Sequence, residues 1–287
     1  MKKIQLLMMS TLLTTASYGQ GFENSTNVGE ARVHLLSEGQ QKGNTSILIG
    51  ATPEMIETQA PDGTFPNAVN AFLIQLSGKN MLVDAGFGKR LFDNLQTLDV
   101  DAEHIDIVLI THAHGDHIGG MLRDGEKAFP NAQVYMSQKE HDYWTSDAVK
   151  NNTVRQLIAV YKDQLNLFNP SVIGEPATPL IDGVTAIAAY GHTPGHTMYE
   201  VESKGEKLWI WGDLTHAMAV QMPYPSVAVT YDVDPAQAVK TRLEVLNYVS
   251  KNAIPIAGMH IAYPSTGAVV KEGDGYVFNP VEIKKMK

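Results

Sequence analysis

The chain has 287 residues, 44% hydrophobic and 18% charged, which excludes disordered and fibrous classes and allows a substantial core. Its 31 acidic residues outnumber 22 basic ones, and a formal charge of −9 argues against a nucleic-acid footprint or an anionic membrane surface. With no cysteine there is no disulfide framework and no thiolate, so histidine and carboxylate must supply any metal ligation or catalysis.

Met1-Lys2-Lys3, an apolar run over residues 4–16 and then Ser17-Tyr18-Gly19 make a secretory leader, with cleavage expected after Gly19. The run is too short and too interrupted for a span of about 20 residues, so removal is expected rather than anchoring. A periplasmic or secreted location follows. Residues 20–287 then form one domain, loose over 20–29. Strands are expected at 32–36 and 46–51, followed by a long connection holding Pro53, Pro61, Gly63 and Pro66. Residues 71–76 and 80–84 flank Ser77-Gly78-Lys79 as a hairpin, and Asp84 closes the second arm. Residues 89–98 are read as a helix, 101–104 as a short capped helix and 107–110 as a central buried strand.

That strand runs into Thr111-His112-Ala113-His114-Gly115-Asp116-His117-Ile118-Gly119-Gly120. Alternate strand residues share a face, so His112 and His114 project to one side while Asp116 and His117 come from the turn beyond. Such a cluster after a strand offers imidazole nitrogen and carboxylate oxygen to two neighbouring ions.

Beyond it, 132–137 alternates as a strand, and 138–167 reads as a mostly helical insertion that packs, with His141 at a surface position. Strands at 183–189 and 198–202 bracket Gly191-His192-Thr193-Pro194-Gly195-His196, a rigid turn able to hold an imidazole at a strand tip. A strand over 207–211 ends at Gly212-Asp213, a helix over 235–249 is capped by Asp234, and a strand over 254–259 ends at His260. Residues 267–278 add a hairpin. Asp84, the 112–117 cluster, His196, Asp213 and His260 all stand at ends of apolar runs, which a layered sheet architecture gathers on one edge.

Over roughly residues 32–280 these motifs resemble the metallo-β-lactamase superfamily, implying an α/β (α+β) four-layer αββα sandwich. Gly191 to His196 with Gly212-Asp213 resembles the N-acyl homoserine lactonases and the methyl parathion hydrolases. The stretches Gly212-Asp213-Leu214, Ala219-Val220-Gln221, Pro225-Ser226-Val227 and His260-Ile261-Ala262-Tyr263-Pro264 are similar to the latter. The resemblance implies one metal on His112, His114 and His196, a second on Asp116, His117 and His260, and Asp213 bridging both. Asp84 becomes a supporting aspartate and His192 stays outside the ligand set. Zinc is the favoured ion, with iron, manganese or cobalt compatible with the same donors.

Paired divalent ions lower the pKa of water to about 7 and so supply a nucleophile for a lactone, an ester or a phosphotriester. Asp116 or Asp213 would shuttle the proton. His216 stands three residues after Asp213, where several lactonases carry a tyrosine against the substrate carbonyl, and is a candidate donor or general acid. The resemblance therefore implies an N-acyl homoserine lactonase active in quorum quenching, with a phosphotriesterase as alternative. A glyoxalase II-like thioesterase and a non-catalytic metal-binding module are the remaining readings. The expected partner is a small lactone or ester, with no nucleic acid, no membrane anchor once the leader is removed, and a homodimer as in the resembling branch.

Overall fold

The computed structural model describes residues 25–281, so the expected leader lies outside the described residues. Strands Ser25–Val28, Ala31–Asn44, Thr64–Leu76, Lys79–Val83, Ile107–Leu109, Gln133–Ser137 and Leu165–Phe168 lie side by side, in that order, in a first sheet. Its early members pair antiparallel, and those from Lys79–Val83 onward pair parallel. A second sheet orders Val184–Ala188, Thr197–Ser203, Glu206–Ile210, Ile256–Ala257, Thr266–Glu272 and Gly275–Pro280.

Period-2 alternation decides how the sheets stack. In Thr64–Leu76, Phe72 and Ile74 face the second sheet and meet a core with Tyr199, Val201, Leu208 and Ile210. Ala71 and Leu73 face the other way, against a cluster holding Leu91, Trp144, Leu157 and Tyr161 of the flanking helices. On the far side of the second sheet Trp209 and Ile256 pack on Val245, Leu246 and Val249 of the helix Pro235–Asn252. The layers therefore run helix, sheet, sheet, helix, the αββα sandwich the motifs imply. Asp234 caps the last helix by accepting from Gln237 N–H, with Pro235 at its first position.

Several elements differ from expectation: Ser25–Val28 is a paired strand within the stretch expected to be loose, the strand expected at 32–36 runs Ala31–Asn44, and that expected at 254–259 is only Ile256–Ala257. Residues 46–51 form a 3₁₀ turn at Thr45–Ile47 and a two-residue strand, Leu48–Ile49, paired with Ala228–Val229. The proline-rich connection holds a helix, Pro53–Gln59, and the start of the strand Thr64–Leu76, whose register includes Pro66 opposite Lys42. Pro66 is tolerated because this strand pairs on its other side only from Phe72 onward, so no ladder bond needs its missing N–H. The helical insertion is two helices, Gln138–Thr145 and Asn152–Tyr161, after which Leu165–Phe168 returns as the edge strand of the first sheet.

Parallel pairing aligns the carboxyl ends of Lys79–Val83 and Ile107–Leu109 in the first sheet, and of Glu206–Ile210 and Ile256–Ala257 in the second. Asp84, Thr111, Asp213 and His260 follow those four ends. Among the described residues, no helix is long and apolar enough to cross a membrane.

Candidate metal centre

Asp84 is fully buried, in a left-handed conformation with φ of 57° immediately after its strand. Its Oδ1 accepts Thr111 N–H at 2.8 Å and its Oδ2 accepts Thr111 Oγ1–H at 2.6 Å. His117 Nδ1 lies 2.7 Å from the same Oδ2. One carboxylate thus fixes the loop leaving Ile107–Leu109 and aims His117 Nε2 at the centre. His260 is set in a similar way, with Nδ1 2.8 Å from the Ala68 carbonyl oxygen.

Nε2 of His112 and Nε2 of His192 each lie 3.0 Å from Nδ1 of His114. Asp213 Oδ2 is 3.6 Å from His112 Nε2 and 3.3 Å from His192 Nε2. Beside this group, His117 Nε2 is 3.2 Å from Asp213 Oδ1 and 3.8 Å from Asp116 Oδ1. His260 Nε2 is 3.1 Å from Asp213 Oδ2 and 3.5 Å from Asp116 Oδ2. The donors thus form three overlapping groups, His112–His114–His192–Asp213, Asp116–His117–His260 and Asp213–His216–His260, with Asp213 and His260 shared.

The residues fit a divalent cation. Among the described residues few buried side-chain polar atoms lack a hydrogen-bond partner, and two of them, His117 Nε2 and Asp213 Oδ1, face each other at this centre. Burial pushes the His112 ring well below its ordinary pKa and lowers His114 to about 3, leaving neutral lone pairs to donate. Burial opposes the charged forms of His117 and Asp213 as well. There, however, the surrounding carboxylates hold His117 well above its usual value, and His117 and His260 hold Asp213 well below.

His196, expected as a ligand, does not join the cluster. Its Nε2 accepts Asp213 N–H at 2.9 Å and its Nδ1 donates to the Ala189 carbonyl at 2.8 Å, so both ring nitrogens are bound to backbone. His192, expected outside the ligand set, instead joins His112, His114 and Asp213 in the place expected of His196, with its Nδ1 2.8 Å from Asp232 Oδ1. Two histidines in one turn look alike in sequence, and what separates them is Asp232, an acidic residue between the strand over 207–211 and the helix over 235–249 that sequence did not single out. His112, His114, Asp116, His117, Asp213 and His260 do converge. Glu140, buried beneath the turn and hydrogen-bonded to Ala113 N–H and Gly195 N–H, was also not singled out by sequence.

His216 is 4% exposed, with Nε2 3.0 Å from Asp213 Oδ2 and its ring stacked on His260 at 4.8 Å. Burial lowers its pKa to about 4, so the ring is neutral. A cavity of about 500 Å³ opens over Asp116, Asp213, His216 and His260, and Phe65, Phe87 and Tyr231 contribute apolar wall.

The family model of the metallo-beta-lactamase superfamily matches residues 64–257. A solved structure described as hydrolase AbOPH in the beta lactamase superfamily is 28% identical, with a TM-score of 0.81 over 91% of this chain and 98% of that one. AidC, described as a dizinc quorum-quenching lactonase in complex with a product, is 23% identical with a TM-score of 0.80 and the same coverage, a likeness of fold. The exodeoxyribonuclease WalJ of Streptococcus pneumoniae is 33% identical over 79 residues, 26% of this chain and 29% of that protein. The chain thus spans under a third of that curated relative. Fold, site and a family match over most of its length agree: the chain belongs to the metallo-beta-lactamase superfamily.

Proposed function

We propose that the chain is an exported, metal-dependent hydrolase that opens a lactone or ester, with an N-acyl homoserine lactone as the favoured substrate. The observation that carries this reading is the convergence of His112, His114, His192, Asp116, His117 and His260 around Asp213 at the floor of an open cavity. His112, His114 and His192 would hold one divalent ion, and Asp116, His117 and His260 a second, with Asp213 reaching both. Zinc suits these nitrogen and oxygen donors. When bound, the ions supply Lewis acidity that activates water and polarises the carbonyl.

The side chains account for the rest. Asp116 is the more open carboxylate, 25% exposed at the side chain against 2% for Asp213, so it is the group to take a proton from the attacking water. It returns that proton to the departing alcohol, and water and ester become acid and alcohol with nothing left over. His216 in neutral form has one N–H. With Nε2 facing Asp213, that N–H orients the carboxylate, while Nδ1 is left buried without a partner. Phe65, Phe87 and Tyr231 give an acyl chain somewhere to lie.

An aryl phosphotriester is the second reading, because the exposed rings of Phe87 and Tyr231 at the mouth suit an aromatic leaving group. A nucleic-acid substrate, suggested by the short match to an exodeoxyribonuclease, is opposed by the net charge of −9. The test is zinc-loaded protein assayed on an acyl homoserine lactone and on an aryl phosphotriester, each with a chelated control. Dominant, chelator-sensitive lactone turnover supports the proposal, and dominant phosphotriester turnover replaces it with the second reading. Amino-terminal sequencing of protein recovered outside the cytoplasm, expected to begin at Gln20, tests export.

A further inference from the structure

Glu140 sits on the helix Gln138–Thr145, 1% exposed, and its carboxylate receives four hydrogen bonds from three separate places. Oε1 accepts Ala113 N–H at 2.8 Å and Trp144 Nε1–H at 2.6 Å. Oε2 accepts Thr193 Oγ1–H at 2.6 Å and Gly195 N–H at 3.1 Å. Ala113 lies between His112 and His114, Thr193 follows His192, and the Trp144 ring meets His114 edge-on at 5.7 Å. The same helix start also grips the turn through Ser137 Oγ–H, which donates to the Gly195 carbonyl at 2.7 Å. A Cβ on Gly195 would stand 2.1 Å from Glu140 N, so helix and turn are in direct backbone contact.

We propose that Glu140 is a positioning residue that sets the spacing between the loop bearing His112 and His114 and the turn bearing His192. It thereby tunes the affinity of that half of the centre for a divalent ion. The proposal rests on the reading that these three histidines take a metal. An ionised carboxylate has about four lone-pair sites and here meets four donors. A carboxamide in its place accepts at one oxygen and points an NH₂ at the other two donors, which pushes the two segments apart. The other half, Asp116–His117–His260, is held by Asp84 and Ala68 and shares no hydrogen bond with Glu140. Burial raises the Glu140 pKa, and the four hydrogen bonds oppose that rise.

The experiment uses the full chain and zinc itself. Zinc affinities are measured by competition with a chromophoric chelator for the unsubstituted protein, Glu140→Gln, Trp144→Phe and His141→Ala, beside the melting temperature of each metal-free form. Glu140→Gln is expected to weaken one zinc by about 10- to 100-fold and leave the other within about twofold. Trp144→Phe, which removes a single donor and keeps an aromatic ring against His114, should weaken the same zinc by a smaller factor. It keeps the test open should Glu140→Gln fail to fold. His141→Ala, on the same helix and bonded to Asp142, is the unchanged control. Lower melting temperatures with both zinc affinities unchanged, or both affinities lowered equally, would overturn the proposal. Absence of zinc binding by the unsubstituted protein would sink the proposed function itself, which unchanged affinities in the variants would not.

Discussion

Between Thr111 and Ile118 the first sheet sends four side chains to the centre. Between Tyr190 and Thr197 the second sheet sends one, His192, and turns the other, His196, back into the backbone. The difference lies in whether the second ring nitrogen is already taken by the backbone. His117 and His192 each rest one nitrogen on a buried carboxylate, Asp84 and Asp232, which leaves the other free and aimed. His196 spans Ala189 O and Asp213 N, so its ring is a strut between a strand end and the loop carrying Asp213. Here a histidine joins the cluster only where one ring nitrogen is left free of the backbone.

Asp213 stands on both sides of this comparison, and replacing it breaks the most. Asp213→Ala should remove metal measured by atomic absorption and lower ester or lactone turnover by about 1,000-fold, equivalent to about 4 kcal/mol of barrier. Full metal content in that variant would separate Asp213 from both groups. The two histidines of the turn can be set against each other directly. His196→Ala should cost about 2–4 kcal/mol in urea unfolding of the metal-free protein, because it strands two buried backbone groups. His192→Ala should cost little stability and about 100-fold in zinc affinity. If the two variants exchanged these phenotypes, the ligand and the strut would have to be exchanged as well.

Smaller effects sharpen the role of the supporting carboxylates. Asp232→Asn keeps an oxygen for Val229 N–H and loses the charge against His192 Nδ1, so zinc affinity should fall by about 10-fold in a competition titration. The smallest change is at the cavity mouth, where Phe87 is 46% and Tyr231 is 54% exposed. Phe87→Ala should raise KM about fivefold for long-chain substrates, a loss of about 1 kcal/mol, and leave kcat for a short-chain ester unaltered.

Much of this was legible in the chain, for identifiable reasons. The buried strand Ile107–Leu109 and the ligand cluster after it are contiguous, so their chemistry is spelled out in one stretch. The layered order follows from alternation of the kind seen at Phe72, Leu73 and Ile74. The long strand through Pro66 was not legible, because its tolerance depends on a neighbour that stops at Phe72. Neither was the choice between His192 and His196, which is made by Asp232, 40 residues along the chain. Glu140 was hidden for the same reason. A glutamate among Lys139, His141 and Asp142 reads as solvated, and only the packed turn at Gly195 reveals that it faces inward.

The inner core joins two sheets whose outer faces are each sealed by their own helices, and the centre sits across their common edge. His112, His114, Asp116 and His117 belong to the first sheet, and His192, Asp213 and His260 to the second. A cation held there would act as a rivet between half-molecules that are also joined by apolar contact and by hydrogen bonds such as those of Glu140, Asn70 and Tyr199. Its free energy of binding is then also a free energy of assembly, and chelation should loosen the seam before it melts either half.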